Sequence, residues 1–202
     1  MEIIKYIVIC VSGYVFGSVN FSILISRLIH KSDIRRKGSG NAGATNMARS
    51  YGLAAGIEAL IGDMMKTSLA LLDGYFISGS IGMCISGFFC IIGHCYPVFY
   101  DFKGGKGVAV ACVIVAFICP ELLLVCVPVF LIVVGLSRKV SLGSILASAV
   151  LLAGMFLKKS PVEVFSLGVF TALIILFRHK DNIQRLIKGT EPDFALPKRK
   201  KK

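Results

Sequence analysis

The sequence predicts an all-α membrane protein of seven transmembrane helices, on the basis of its composition, its long apolar runs and the distribution of its positive charge. Of the 202 residues, 55% are hydrophobic and 17% are charged, and the mean hydropathy is +0.79. An ordinary soluble domain carries about 25% charged residues. The composition therefore excludes a soluble domain, a disordered chain and a nucleic-acid-binding module, so nucleic acid is not an expected partner.

The apolar runs have the length that a bilayer core requires, about 20 helical residues or somewhat fewer. The first run exceeds the length of a signal peptide and is interpreted as an uncleaved helix. The second is the weakest, because it carries Glu58, Asp63 and Lys66. The expected spans are 3–27, 53–72, 79–99, one or two within 107–137, 142–157 and 162–178.

Positive charge decides how 107–137 is divided and which side of the membrane each loop faces. This run is either one long helix or a hairpin that breaks at Pro120. With the hairpin and an outside N-terminus, all but a few of the 23 Lys and Arg residues face the cytoplasm. One long helix would turn the basic C-terminal tail outward, against the positive-inside rule. We therefore expect seven crossings, an outside N-terminus, a cytoplasmic C-terminus and glycine-rich cytoplasmic loops.

A single integral-membrane domain is expected over 1–202, because no long linker or internal repeat is visible. Many secondary transporters show two related halves, which this sequence lacks. The basic tail, about 195–202, is expected to lie in solvent against anionic headgroups. The cysteines are interpreted as small hydrophobic residues, because their number is odd and no C-x-x-C occurs. They are Cys10, Cys84, Cys90, Cys95, Cys112, Cys119 and Cys126.

The first polar cluster is the glycine-rich loop 38–46. It matches G-x-G-x-x-G, but a dinucleotide site needs a βαβ unit, and apolar helices flank this loop. Glycines allow close approach to a ligand, and a helix that begins near Thr45 would offer free N–H groups to an anion. From these residues alone, an anion site and a flexible interfacial loop both stay open. The basic residues around the loop are Arg35, Arg36, Lys37 and Arg49.

The second cluster joins Gly-His-Cys-Tyr-Pro at 93–97 to Phe-Lys-Gly-Gly-Lys-Gly at 102–107. It is not a Walker A loop, because Tyr100 and Gly107 stand where that loop needs Gly and Ser or Thr. Its two lysines either bind a mobile phosphate or simply mark a cytoplasmic turn. His94 is interpreted as a packing residue at a helix end rather than as a catalyst.

Two further clusters lie at the expected cytoplasmic ends of the last two spans. Ser141 and Ser144 share a helix face, and Ser141 is expected to cap that helix. His179 and Asn182 place two hydrogen-bonding groups on one side of the chain, or merely mark the start of an interfacial helix.

Several familiar catalytic patterns are absent from the sequence. No serine lies in G-x-S-x-G, so there is no nucleophile elbow. None of His30, His94 and His179 is followed by Asp five residues later, so the H-x4-D acyltransferase pair is missing. Metal-binding patterns are also missing. The basic, amide and glycine groups indicate phosphate binding, and neither a metal nor a cofactor is expected.

Taken together, these clusters resemble the bacterial acyl-phosphate glycerol 3-phosphate acyltransferase family, from Gly17 to about Phe194. The seven-span layout is also that of the family. Five motifs occur in order and at matching spacing: Gly-Ser-Gly-Asn-Ala-Gly-Ala-Thr-Asn at 38–46, Gly-His-Cys-Tyr-Pro-Val-Phe at 93–99, Phe-Lys-Gly-Gly-Lys-Gly-Val-Ala at 102–109, Val-Ser-Leu-Gly-Ser at 140–144, and Arg-His-Lys-Asp-Asn-Ile with Lys-Gly-Thr-Glu-Pro at 178–192.

The resemblance also has two departures. Ala42 stands where the family often has Ile, and Thr67 stands where Gly is usual after Lys66. Neither removes a charged or hydrogen-bonding group. The second departure leaves the roles of Asp63 and Lys66 open.

The resemblance implies transfer of a fatty acyl group from acyl phosphate to the 1-hydroxyl of glycerol 3-phosphate, the first membrane step of phospholipid biosynthesis. Transfer would be direct, without a covalent acyl-enzyme, because the mixed anhydride is already activated. The loop 39–46 would hold the acyl-phosphate group. The implied catalytic residues are His179, Lys106, Arg49 and Asn182, and the implied substrate-binding residues are Ser39, Gly40, Asn41, Gly43, Ala44, Thr45, Asn46, Lys103, Gly104, Gly105, Ser141 and Ser144.

The expected location is the cell membrane, the inner one where there are two, with the site at the cytoplasmic face. A transient contact with the soluble enzyme that makes acyl phosphate is also expected. Two alternatives stay open. A phosphate or organophosphate carrier would need polar groups at mid-membrane and some internal symmetry. A non-enzymatic scaffold would act through the basic tail.

Overall fold

The computed structural model describes residues 2–195, which form nine α-helices and no strand, in agreement with the predicted all-α class. Short 3₁₀ turns at Ile34–Arg36 and Val98–Tyr100 interrupt the longer connections. The expected basic tail lies outside the described residues, apart from Ala195. In chain order the helices are α1 (Glu2–Ser18), α2 (Phe21–Leu28), α3 (Ala44–Tyr51), α4 (Leu53–Cys95), α5 (Val108–Ile118), α6 (Pro120–Ser137), α7 (Val140–Leu157), α8 (Val162–Arg178) and α9 (Lys180–Ile187).

The expected single helix over 3–27 is wrong, because the chain forms α1 and α2 with a bend of 43° between them. Asn20 causes the break: its side chain accepts a hydrogen bond from Ile23 N at 3.0 Å and so caps α2. Asparagine is among the best residues for this position, because its short side chain replaces a missing helical acceptor. The other end of the same amide donates to Ala42 O at 3.2 Å and ties the bend to the first glycine loop.

Helix α4 is a hairpin of two antiparallel arms, 53–77 and 80–95. The backbone leaves the helical region at Ser78 and at Gly79, whose φ of +61° is unstrained only for glycine. Across the hairpin, Ser86 Oγ donates to Ala70 O at 2.6 Å. The arms correspond to the two spans predicted at 53–72 and 79–99.

Helix α1 packs against the second arm of α4 through small residues. A Cβ at Gly13 would meet the backbone of Ser86, one at Gly17 would overlap the carbonyl group of Cys90, and Gly93 approaches α1 in the same way. Small residues allow such close approach between apolar helices, where van der Waals contact rather than hydrophobic burial holds helices together.

The break predicted at Pro120 is confirmed. Helix α5 ends at Ile118, Cys119 is non-helical, and α6 begins with Pro120 at its first position, where its missing N–H costs nothing. All seven cysteines are free, as their interpretation as small hydrophobic residues predicted.

Within residues 2–195, three helices are long and apolar enough to cross a membrane. The number is five if the bent pairs α1–α2 and α8–α9 each count as one span. That count treats α4 as a single helix and leaves out α5, which has 11 residues. The seven crossings and their orientation therefore stay a prediction.

The close contact between α1 and α4 predicts a difference between two glycine substitutions. Gly17→Ala should lower the midpoint of thermal unfolding in detergent, because overpacking costs about 1–3 kcal/mol. Gly135→Ala in α6 is the matched control, since no atom lies within 4 Å of the added Cβ. Equal midpoints for the two variants would show that the α1–α4 contact does not limit stability.

Candidate active site

The four polar clusters of the sequence meet at one end of the helix bundle. Arg35 Nη1, just before the first glycine loop, donates to the carbonyl oxygen of Tyr100 at 2.7 Å, just before the second. Arg178 Nε, at the end of α8, donates to Gly105 O at 3.2 Å. Ser141, at the start of α7, joins the segment that follows α9. The convergence brings together residues as far as 144 positions apart.

The first glycine loop is folded around the side chain of Asn46, which is 1% exposed. Its Oδ1 accepts from Ser39 N at 3.0 Å, and its Nδ2 donates to the carbonyl groups of Lys37 at 2.9 Å and Asn41 at 3.0 Å. The loop is thus held by a specific internal network. Asn46, an expected substrate-binding residue, uses its amide to shape the loop.

The start of α3 offers N–H groups from this loop. Gly43 accepts from Asn46 N and Met47 N, whereas the N–H groups of Ala44 and Thr45 have no acceptor within the described chain. Both residues are only partly buried. Free N–H groups at a helix start attract anions, so this part of the predicted phosphate loop is available to a ligand.

Just before the first glycine loop, a carboxylate is paired with two arginines. Asp33 Oδ2 lies 2.8 Å from both Arg27 Nη2 and Arg35 Nη2. The hydrogen bond from Arg35 is the main reason why the pKa of Asp33 lies well below its usual range. Arg35 therefore connects the segments that precede the two loops, and its charge is already paired with the carboxylate of Asp33.

The second glycine loop is fixed from two sides. The N–H groups of Gly104 and Gly105 donate to the backbone carbonyl groups of Cys95 and His94, at 3.2 and 3.1 Å. Their own carbonyl groups accept from the Arg178 guanidinium at 3.4 and 3.2 Å. Lys103, an expected site residue, is exposed beside them.

Lys106 extends from this loop into the site, where its Nζ donates to Asn182 Oδ1. Burial, the largest effect, lowers the pKa of Lys106 to about 8, although the carboxylate of Glu191 opposes the shift. A partly buried ammonium whose nearest partner is a neutral amide is a suitable group for an incoming anion.

Glu191 organises the other side of Asn182. Its Oε1 accepts from Ser141 Oγ and from Asn182 Nδ2, both at 2.6 Å, and its Oε2 accepts from Arg185 Nε at 2.8 Å. Burial alone would raise the pKa of Glu191, but these hydrogen bonds outweigh it, and the pKa lies below its usual range.

The expected capping role of Ser141 is wrong. Helix α7 begins at Val140 after Lys139, which makes no side-chain cap, so Ser141 lies one residue inside the helix. Its hydroxyl group instead meets the buried carboxylate of Glu191. A capping serine accepts a hydrogen bond from a nearby backbone N–H, whereas Ser141 donates to a carboxylate 50 residues away.

His179 lies at the junction of α8 and α9, and Asn182 follows three residues later on the same side of α9, as the sequence predicted. His179 Nδ1 lies 2.8 Å from Ile175 O, and since a carbonyl group only accepts, Nδ1 carries the proton. Burial, followed by the charge of Lys106, lowers the pKa of His179 to about 4. At neutral pH this imidazole is therefore uncharged, and its Nε2 is a hydrogen-bond acceptor.

Arg49 and Ser144 complete the set of expected residues. Arg49 Nη2 makes one long contact, 3.5 Å, to Asp193 O. Ser144 Oγ donates to Val140 O at 3.0 Å within its own helix. Among residues 2–195, no carboxylate oxygen lies within 4 Å of the charged groups of Lys106, Arg49 or Arg178. The site has an excess of positive charge.

An apolar cavity adjoins this cationic site between helices α5 to α8. It offers about 540 Å³ of space, part of it open to the surroundings. It begins near Val108, two residues after Lys106, and near Ser144, and continues to Val115 and Leu151, about 10 Å further along the helices. The other lining residues are Ala111, Cys112, Leu123, Cys126, Val127, Phe130, Ala147, Ser148 and Ile175.

The interpretation of the sequence missed several groups that shape the site. Glu191 and Arg185 form the C-terminal side, and Arg178 holds the second loop. Glu191 lies in the Lys-Gly-Thr-Glu-Pro motif, which was the available signal. Asp63, Lys66 and His94 also form a buried cluster below the loop, instead of the simple packing role expected of His94.

The fold and the site define a helical integral-membrane protein with a cationic, glycine-lined site beside an apolar cavity. The family model described as glycerol-3-phosphate acyltransferase matches residues 7–189. The chain belongs to this family and is an acyltransferase of lipid biosynthesis. It is 40% identical over 196 residues to the glycerol-3-phosphate acyltransferase of Finegoldia magna, covering 95% of this chain and 97% of that one. The Carboxydothermus hydrogenoformans enzyme of the same name is also 40% identical, over 89% and 91% of the two chains.

Two solved structures share the fold. Both are PlsY (YgiH), described as an integral membrane glycerol 3-phosphate acyltransferase, one in its glycerol 3-phosphate form and one in its lysophosphatidic acid form. Each is 34% identical to this chain, with TM-scores of 0.87 and 0.84. They cover 94% of this chain, and the chain covers 96% and 95% of theirs.

The network around Glu191 predicts that this carboxylate holds the C-terminal segment in place. Glu191→Ala should leave buried donors of Ser141 and Asn182 unpaired, at a cost of about 1–3 kcal/mol each. Thermal unfolding in detergent and the rate of tryptic cleavage after Lys188 would measure the effect. Asp193→Ala is the control, because it removes only the exposed pair with Lys139. Similar results for both variants would contradict the assigned role of Glu191.

Proposed function

We propose that the protein transfers a fatty acyl group from acyl phosphate to the 1-hydroxyl of glycerol 3-phosphate. The observation that carries this proposal is the excess of positive charge around Lys106, directly beside an apolar cavity between helices. Two phosphate-bearing substrates, one of them with a long acyl chain, match this combination. The forms in which the two related structures were solved support glycerol 3-phosphate as acceptor and its 1-acyl derivative as product.

The two phosphate groups are assigned to different parts of the site. The N–H groups at the start of α3, in the loop 39–46, bind the phosphate of acyl phosphate. Lys106 and Arg49 bind the phosphate of glycerol 3-phosphate, and Asn182, Ser144 and His179 bind its polar groups. The neutral Asn182 lies between Lys106 and Glu191, so it keeps the cation available while the carboxylate fixes the amide.

The apolar cavity is assigned to the acyl chain. Its lining is almost entirely carbon and sulfur, and only Ser144 and Ser148 add hydroxyl groups, which donate to carbonyl groups of their own helix. A chain placed there would bring its activated carbonyl carbon to the end near Val108, close to Lys106. Burial of each CH₂ group in such a cavity contributes about 0.8 kcal/mol.

Transfer proceeds directly between the substrates. The 1-hydroxyl oxygen of glycerol 3-phosphate forms a bond to the acyl carbon, the bond from that carbon to the phosphate oxygen breaks, and the leaving phosphate takes the hydroxyl proton. His179 Nε2 accepts a hydrogen bond from the 2-hydroxyl group of glycerol 3-phosphate, which orients the acceptor while the proton of the 1-hydroxyl points at the leaving phosphate. With a pKa of about 4, His179 is a poor general base, since a base is most efficient when its pKa lies near the working pH.

The site is placed at the cytoplasmic face of the cell membrane. Counting α1 with α2, both arms of α4, and α5 to α8 gives seven crossings, which put all four polar clusters on one side. The soluble enzyme that makes acyl phosphate would deliver its product there through a transient contact. No cofactor or metal is assigned to the reaction.

A donor assay tests the proposed function. Purified protein in detergent should convert labelled glycerol 3-phosphate with acyl phosphate and give no product with acyl-CoA or an acyl carrier protein thioester. Lys106→Met should abolish most of this activity, whereas Lys188→Met, at an exposed lysine, should leave it unchanged. Comparable turnover with acyl-CoA would reject the assignment of acyl phosphate as donor.

The lowered pKa of Lys106 predicts an alkaline limit to activity. The ammonium group is lost as the pH rises through about 8, so kcat/KM for glycerol 3-phosphate should fall about tenfold for each pH unit above that value. Lys106→Arg should remove the limit up to about pH 10, because a guanidinium group stays charged. The same limit near pH 8 in the arginine variant would assign it to another group.

The proposed orientation predicts opposite labelling of two engineered cysteines. In a protein without its seven native cysteines, Lys159→Cys should react with a membrane-impermeant maleimide on whole cells, because the loop between α7 and α8 lies outside. Lys188→Cys, after α9, should react only in opened cells. The reverse pattern would invert the topology and place the site outside.

A further inference from the structure

A buried ion pair supplies hydrogen-bond partners at the break between α1 and α2. Lys66 Nζ donates to Gly17 O at 2.8 Å and to Val19 O. Asp63 Oδ1 lies 2.9 Å from Lys66 Nζ and accepts from Phe21 N at 3.4 Å. The cation therefore lies at the C-terminal end of α1 and the anion at the N-terminal end of α2, which complements both helix dipoles.

The same ion pair determines the tautomer of His94. Lys66 Nζ lies 3.2 Å from His94 Nδ1. An ammonium group has no lone pair, so Nδ1 must be the acceptor and the ring proton lies on Nε2. His94 is 3% exposed, and Asp63 Oδ1, at 3.7 Å from Nδ1, is too far away for a hydrogen bond to this nitrogen.

The Nε2 edge of His94 faces both glycine loops. A Cβ at Gly105 would overlap His94 Nε2 and would also meet Ala42 O of the first loop. The backbone of His94 accepts the N–H of Gly105 at 3.1 Å, and Ala42 O accepts from Asn20 at the helix break. The imidazole thus lies against Gly105, where the two loops come together, and Gly105 directly precedes Lys106.

We propose that Asp63, Lys66 and His94 act as a positioning unit, which fixes Gly105 and thereby the place of Lys106 relative to the first glycine loop. The unit touches no substrate in this arrangement and acts only through the loops. This inference rests on the proposed function, because it gives the unit a role in binding the acceptor. Arg178 holds Gly105 from the opposite side, so a shift of His94 would tilt the loop rather than release it.

His94→Asn tests the unit with little change to the ion pair. The shorter amide can still accept from Lys66, but it does not reach Gly105. We expect kcat/KM for glycerol 3-phosphate to fall by about tenfold to a hundredfold, mainly through KM, since misplacement by about 1 Å can cost a hundredfold. His94→Gln, whose amide reaches the place of Nε2, should recover most of the loss.

Ser86→Ala is the matched control for stability. It removes a buried hydrogen bond to Ala70 O in the same hairpin, about one helical turn from Lys66 and two from His94, without a hydrogen bond to either. It should lower the thermal midpoint at least as much as His94→Asn while kcat/KM stays at the wild-type value. Equal losses of kcat/KM in Ser86→Ala and His94→Asn would show that the unit contributes only to stability. Equal losses in His94→Asn and His94→Gln would show the same.

A second readout does not depend on turnover. Lysines methylated with ¹³C report their titration by NMR, and the signal of Lys106 is assigned by its loss in Lys106→Arg. In His94→Asn, Lys106 should titrate above pH 8, because it leaves its buried place near Arg178, His179, Asp181, Arg185 and Glu191. An unchanged pKa of Lys106 in His94→Asn would overturn the inference. A raised pKa of Lys106, in a protein whose wild type lacks transferase activity, would overturn only the proposed function.

Discussion

The site depends on the burial of one positive charge, the ammonium group of Lys106, among groups that do not neutralise it. Its direct partner is the Asn182 amide. The carboxylate of Glu191 lies on the other side of that amide and is shared with Ser141 and Arg185. Burial without full compensation lowers the pKa of the lysine to about 8. A phosphate group at this place would relieve the cost of burial, so the site is organised for an anion.

The non-helical segments of the fold are constrained by the shortage of hydrogen-bond partners inside an apolar helix bundle. Backbone groups that leave a helix must find partners within the protein. Asn20 and Lys66 supply them at the break between α1 and α2, and Arg178 supplies them at the second glycine loop. These partners are at the end where the four polar clusters meet. The groups that allow irregular backbone thus hold the loops that carry the site.

The sequence was sufficient to predict the all-α class, the break at Pro120 and the place of His179 and Asn182 on one side of a helix start. It failed where a residue's partner is distant in the chain. Ser141 has a typical capping context, yet its acceptor, Glu191, lies 50 residues away. Asn46 lies in the predicted phosphate loop, where its amide shapes the loop backbone. In the run 3–27, Asn20 was a signal for a helix break. It was overlooked because the run as a whole is strongly hydrophobic.

In the proposed reaction, the buried positive charge at Lys106 recognises the phosphate of the acceptor. Calorimetry with purified protein in detergent, without donor, tests this most directly. Glycerol 3-phosphate should bind to the wild-type protein, glycerol should not, and Lys106→Met should weaken binding by about ten- to a hundredfold, as expected for a charge-assisted contact of about 1.5–3 kcal/mol. Equal binding of glycerol 3-phosphate by the wild type and the methionine variant would contradict the claim.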